Sequence, residues 1–276
     1  MHCRLIGVPL QDGASQLGCE MGPSALRVAG LRAALEDLGH VVTDTGNLQI
    51  TDLPEIEHPN TAIRNLPQIA GWTALLSDVA HRESREGMPI FLGGDHALSA
   101  GTVAGLSRHA AEQGRPLFVL WLDAHTDFHS LDTTDSGNLH GMPVSSIMGS
   151  APEGLRPLLS APLAPSQFRY VSAHLGDPGD WAFQRDHGLS WLESDEILTG
   201  PVHIHFDLDA LNPAEFPHVA YPEGKLPIDA GLTLVRKISA EAKLVGLTIT
   251  EFAPADSAGA RDGSDVIQRL CEAARS

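Results

Sequence analysis

Apolar residues recur along this chain in two alternating rhythms. Short, largely apolar runs occupy residues 4–8, 89–92, 117–122, 168–173, 202–206 and 244–249. Between them lie longer stretches whose apolar residues stand three or four positions apart. The short runs predict strands buried on both faces, and the wider spacing predicts amphipathic helices. One helix is expected from near Pro23 through Leu26, Val28, Leu31, Leu35 and Leu38, stopping at Gly39. Others are expected over 69–85, 97–113, 232–242 and 262–274, and a second strand begins at Val41-Val42. Residues 51–67 are polar and contain prolines, which predicts a surface excursion. Residues 130–167 lack a regular pattern apart from a short helical piece near 144–148. A connection of that length is usually functional or an insertion. Strand and helix alternate throughout, so βαβ units and a mainly parallel sheet are expected. With no break in composition, residues 1–276 read as a single domain.

Charge narrows the classes. The 35 acidic residues outnumber the 18 basic ones, giving a formal charge of −17, and nucleic-acid phosphates call for the opposite sign. Cys3, Cys19 and Cys271 form no CxxC pair, which points to a reduced, cytoplasmic setting. No apolar run reaches the roughly 18 residues of a membrane span. The first eight residues resemble a strand more than a signal peptide.

The candidate chemistry sits where apolar runs stop. The run at 89–92 ends in Gly93-Gly94-Asp95-His96, and the run at 117–122 in Asp123-Ala124-His125-Thr126-Asp127. The run at 202–206 ends in Asp207-Leu208-Asp209, and the one at 244–249 ends near Glu251. In a parallel sheet these ends share one edge, where α/β proteins bind ligands. Taken singly, the first is equally a capped tight turn and the third a strand end capping a helix. Together they bring four carboxylates (Asp123, Asp127, Asp207, Asp209) and two imidazoles (His96, His125) to one place. Four crowded carboxylates repel each other unless some stay protonated or cations intervene. Two divalent metals answer that need, and oxygen ligands mixed with imidazole suit Mn²⁺, with Fe²⁺, Co²⁺ or Zn²⁺ as alternatives.

This set of motifs, with Ser136-Gly137-Asn138-Leu139-His140-Gly141 and the glycine-rich stretch ending at Gly22-Pro23, resembles the ureohydrolases. It is most similar to the arginases, over nearly the whole chain. The resemblance implies a three-layer α/β/α sandwich and hydrolysis of a guanidino compound, foremost L-arginine to L-ornithine and urea. It implies one Mn²⁺ on His96, Asp123, Asp127 and Asp207 and another on His125, Asp123, Asp207 and Asp209, sharing a bridging hydroxide. Asp127 would pass a proton to the departing amine, His140 would shuttle protons, and Glu251 would pair with the substrate guanidinium. Thr134, Ser136 and Asn138 would receive the substrate carboxylate, and Asp177 its α-amino group. A homo-trimer or homo-hexamer is the assembly the resemblance implies.

Two departures concern the amino-acid end. His129 stands where arginases commonly carry asparagine, and His174-Leu175-Gly176 replaces a more usual arginine-containing run. Histidine can still donate to a carboxylate. It can equally reshape the pocket for another guanidine: N-hydroxy-L-arginine, agmatine or a guanidino acid. A catalytically silent subunit is the reading from another class, and the intact ligand set argues against it. His203 and His205 alternate on the strand before Asp207 and read as core or interface residues, with support of the neighbouring ligands as the alternative, and Trp121 reads as core.

Overall fold

The computed structural model describes residues 1–51, 53 and 62–274. The apolar runs become the strands β1 (His2–Val8), β2 (Val41–Asn47), β3 (Met88–Gly93), β4 (Phe118–Leu122), β5 (Phe168–Val171), β6 (Pro201–Asp207) and β7 (Lys243–Thr250). They pair in one seven-stranded sheet of order β2-β1-β3-β7-β6-β4-β5. Every neighbouring pair is parallel. The helices are α1 (Gly22–Val28), α2 (Leu31–Asp37), α3 (Leu66–Glu86), α4 (Ser99–Glu112), α5 (Pro143–Ser145), α6 (Pro178–Asp186), α7 (Ile228–Glu241) and α8 (Ser257–Ala273).

Successive strand side chains point to opposite faces, so a strand buried on both sides feeds two cores. Phe91, Val119, Trp121 and Tyr170 pack with α3 and α4 on one face. Ile90, Leu92, Leu120, Leu122, Ile204, Phe206 and Ile249 pack with α1, α2, α7 and α8 on the other. The result is a three-layer α/β/α sandwich. The ends of β3, β7, β6 and β4, four consecutive strands of the sheet, lie on one edge.

Three differences from the sequence-based expectation have local causes. The single helix expected over 23–38 is two, because Gly30 adopts φ 92°, a left-handed conformation that an α-helix cannot contain. A Cβ at Gly30 would meet nothing within 4 Å, so the backbone alone asks for glycine there. Helix α8 starts at Ser257 rather than 262, since the Asp256 side chain accepts from the Ala258 and Gly259 amides as an N-cap. Its first turn, Ser-Ala-Gly-Ala-Arg, carries no large apolar residue to advertise it. Helix α6 was not expected at all, and its start is a capping box between Asp177 and Asp180. The excursion expected over 51–67 lies largely outside the described residues. The segment 130–167 is mainly irregular, with α5 and the adjoining turn Ser146–Ser150 as its helical piece.

Candidate active site

Three of the carboxylates at the strand ends are held by the same device, an oxygen that takes a backbone amide. Asp123 Oδ1 accepts from the His125 amide at 2.7 Å, and Asp207 Oδ1 from the Asp209 amide at 2.8 Å. Asp209 Oδ1 faces the Ala124 amide at 3.3 Å, tying the end of β6 to the end of β4. The Trp121 indole N–H reaches Asp123 Oδ2 and Asp127 Oδ2 at 3.0 and 3.2 Å. Asp127 and Glu251 both have positive φ, 50° and 62°. Non-glycine residues adopt this conformation at a cost, and such strain gathers at functional sites.

The inward atoms form two groups. His96 Nδ1 lies 2.8 Å from Asp207 Oδ2, 3.3 Å from Asp127 Oδ2 and 3.5 Å from Asp123 Oδ2. His125 Nδ1 lies 3.0 Å from Asp209 Oδ2 and 3.6 Å from Asp123 Oδ1. Asp123 thus turns one oxygen toward each histidine, the posture of a bridging ligand, whereas Asp207 turns its inward oxygen to the His96 side. All six sequence-singled residues meet here, and Asp123, Asp127, Asp207, Asp209 and His96 are buried.

The electrostatics show that the protein alone does not balance this cluster. Burial, then repulsion from Asp209 and Asp123, pushes Asp207 up to about 8. Burial, then Asp123, pushes Asp209 up to about 7. Burial disfavours the charged His125 ring, but Asp123 and Asp209 outweigh it and lift it to about 12. Burial likewise raises Asp127 well above the usual carboxylate range. His96 Nδ1, Asp207 Oδ2 and Asp209 Oδ2 are buried atoms that no hydrogen bond satisfies. Orphaned lone pairs facing each other amid oxygen and imidazole donors fit two divalent cations.

These groups form one wall of a cavity of about 250 Å³. Glu251 closes its inner end, with Oε1 accepting from the His96 amide at 3.0 Å and Oε2 from the Cys19 thiol at 3.2 Å. Burial pushes Glu251 up to about 7. Among the described residues no Arg or Lys pairs with it, so a buried carboxylate faces the cavity awaiting a cation. His140 lines the same cavity, with its ring 5.5 Å from those of His96 and Tyr221. Burial, reinforced by the charge of His96, holds it down at about 3, well below an unperturbed imidazole. Its neutral form therefore prevails here.

The outer end departs from expectation. Ser136, His129 and Asp177 line the cavity, but Thr134 and Asn138 do not. Thr134 Oγ1 accepts from the Gly137 amide, and the Asn138 amide group is engaged by Ser15 at 2.8 and 3.0 Å. Thr134 is thus spent on folding its own loop, and Asn138 on tying that loop to the glycine-rich one at Ser15. His129 Nδ1 sits 3.2 Å from Asp180 Oδ1 and 3.8 Å from Asp177 Oδ2. The capping box fixes both carboxylates: Asp177 Oδ1 accepts from the Gly179 and Asp180 amides, and Asp180 Oδ2 from the Asp177 amide.

Several lining or supporting residues escaped the sequence reading. Asp180 carried a signal, the spacing Asp-Pro-Gly-Asp. Tyr221, one of two tyrosines in the chain, packs on His140 and edge-on to His125. Glu223 Oε2 lies 3.4 Å from His125 Nε2, a partner for the second nitrogen of a ligand ring. His205, by contrast, is open to either role in the sequence: it is fully buried, yet it also lies against the ligand cluster. It stacks on Trp121 at 3.5 Å and brings a ligand atom into one group with His96, Asp123 and Asp207.

The fold is thus a parallel α/β sandwich that gathers carboxylates and imidazoles able to hold metal ions at the carboxyl edge of its sheet, beside a cavity lined by a buried carboxylate. Residues 1–274 match the family described as "Arginase family". The chain is 44% identical over 238 residues to the arginase of Brucella melitensis biotype 1, covering 79% of this chain and 78% of that one. Its fold matches the arginase of Bacillus caldovelox with a TM-score of 0.84 at 25% identity, over 98% and 97% of the two chains. The Bacillus cereus arginase gives 0.83 at 27% identity, with 98% of each covered. The chain belongs to the arginase family, and it is a ureohydrolase, an enzyme that acts on guanidino compounds. No helix of the described residues is long and apolar enough to cross a membrane.

Proposed function

We propose that this enzyme hydrolyses L-arginine to L-ornithine and urea at a binuclear Mn²⁺ site. The observation that carries the reading is Glu251, a buried carboxylate on the cavity wall beside the Asp/His cluster that no Arg or Lys of the described chain neutralises. A guanidinium is planar, cationic and rich in donors, and it would complete that carboxylate by charge-assisted hydrogen bonds. At the outer end, Asp177 offers a carboxylate to an α-ammonium group. His129, turned by its Nδ1 toward Asp180, leaves Nε2 for a substrate carboxylate, with Ser136 nearby. Agmatine carries no carboxylate and would leave the His129 donor unmatched.

His96, Asp123, Asp127 and Asp207 would hold one metal ion, and His125, Asp123, Asp207 and Asp209 the other. When bound, the ions would neutralise the crowded carboxylates and make a water molecule acidic enough to attack near neutral pH. Glu251 orients the guanidinium carbon toward that water. Asp127 takes a proton and passes it to the departing amine, without which the amine is a poor leaving group. His140, neutral at rest, stands on the cavity wall, where the family resemblance gives it the proton-shuttling role. Support for a homo-trimer or homo-hexamer in the cytoplasm, and for one catalytic domain spanning the chain, comes from the family resemblance and the cysteine pattern. The test is turnover of L-arginine by metal-stripped and Mn²⁺-reloaded enzyme. Urea and ornithine in equal amounts only after reloading are expected; no urea from any loaded sample would overturn the assignment.

A further inference from the structure

Glu251 is held from two sides, and one of the holders is a thiol. Its Oε1 takes the His96 backbone amide, while Oε2 takes the Cys19 thiol proton. Cys19 precedes Glu251 by 232 positions, so no local feature of the sequence links them. The fold brings them together through the glycine-rich loop. Cys19 opens a short turn, Cys19–Met21, that runs directly into α1. At its end Gly22 packs so close to the Phe252 carbonyl oxygen that a Cβ would stand 2.7 Å from it. Gly18, at the other end, lies beside Ala253, where a Cβ would stand in ordinary van der Waals contact at 3.4 Å. The loop is thus docked on both residues that follow Glu251, with the thiol fixed at the height of the carboxylate. Glu251 itself is in a left-handed backbone conformation, its amide donating to the Gly94 carbonyl at 2.9 Å.

We propose that Cys19 is a positioning residue for substrate binding: its thiol donates to Glu251 Oε2 and so aims the carboxylate at the guanidinium. This deepens the guanidinium reading of Glu251 and rests on it. The chemistry suits the role. Cys19 is buried, and burial together with the adjacent Glu251 pushes its thiol up, so it stays protonated and keeps its S–H for the carboxylate. A single weak donor fixes the orientation of the carboxylate yet leaves its remaining lone pairs for the substrate. Because Glu251 meets the guanidinium in ground state and transition state alike, loosening it weakens binding more than it slows chemistry.

The test uses Cys19→Ser, Cys19→Ala and Cys19→Val in the metal-loaded enzyme, with Glu251→Gln in parallel and melting temperatures recorded for all. Serine keeps a donor, alanine removes it, and valine removes it while filling the space. The expected result is a KM for L-arginine raised about fivefold to tenfold in Cys19→Ala and Cys19→Val, with kcat within about twofold and Cys19→Ser close to wild type. Wild-type KM in all three variants, or equal impairment of serine and valine variants at unchanged melting temperature, overturns the proposal. If Glu251→Gln is impaired while the donorless Cys19 variants are not, only the role of Cys19 fails. If Glu251→Gln binds and turns over L-arginine as wild type does, the guanidinium reading itself fails, and the positioning role with it.

Discussion

The two ends of the cavity are built by different means. At the inner end, every metal-type side chain stands at or just beyond the end of one of four adjacent strands, and Asp123, Asp207 and Asp209 each spend one oxygen on a backbone amide. At the outer end, the lining residues come from the loop after β4 and from the start of α6, and their partners are one another. Parallel strands packed on both faces have little freedom to move their ends. Loops can exchange residues without disturbing the core. On the proposed reading, the inner end would fix the reaction and the outer end would choose which guanidine is turned over.

The contrast can be broken most forcefully at β6. Asp207→Ala removes a ligand from the His96 group and is expected to lower kcat/KM by about a thousandfold or more. Metal content measured by plasma emission should fall in step. Near-wild-type turnover with full metal content would show that Asp207 is not a ligand.

Acid probes the rigidity of the same strand. Burial holds the His203 ring down at about 4, against about 6.5 for a free imidazole. As pH falls, the unfolded chain takes up this proton first. The stability His203 contributes is complete above pH about 6.5 and is lost progressively toward pH about 4, by roughly 3 kcal/mol. Urea unfolding at pH 7 and pH 4.5 should show a shallower decline for His203→Gln, which cannot titrate, than for wild type. Equal declines would mean the ring is not buried in its neutral form.

At the boundary between the two ends, Glu251→Gln should lower kcat/KM for L-arginine by about a hundredfold, since it removes the charge that faces the guanidinium. The smallest effect is expected at the outer end. His129→Ala should raise the KM for L-arginine about tenfold and leave agmatine turnover unchanged. Equal losses on both substrates would place His129 in the structure of the site rather than in selection of the tail.

How much of this was legible in the sequence follows the same division. Six of the strands announced themselves as apolar runs, and the Asp/His motifs sit directly against them, so the residues that meet at the inner end could be named. Helix α6 could not, because its nine residues depend on a capping box rather than on an apolar stripe. The pattern around 134–138 pointed to carboxylate binding, yet Thr134 and Asn138 serve the turn and Ser15 instead. The direction of a loop side chain depends on contacts distant in sequence, which no local pattern encodes. Cys19 and Tyr221 were missed for that reason: each reaches the site only through the tertiary fold.

The most direct measurement is steady-state kinetics on Mn²⁺-loaded enzyme, comparing kcat/KM for L-arginine, N-hydroxy-L-arginine, agmatine and 4-guanidinobutyrate. The account predicts that L-arginine exceeds agmatine and 4-guanidinobutyrate by at least about a hundredfold, because the outer end matches both charges of the amino-acid head. Agmatine or the guanidino acid turned over as well as L-arginine, or better, would contradict it.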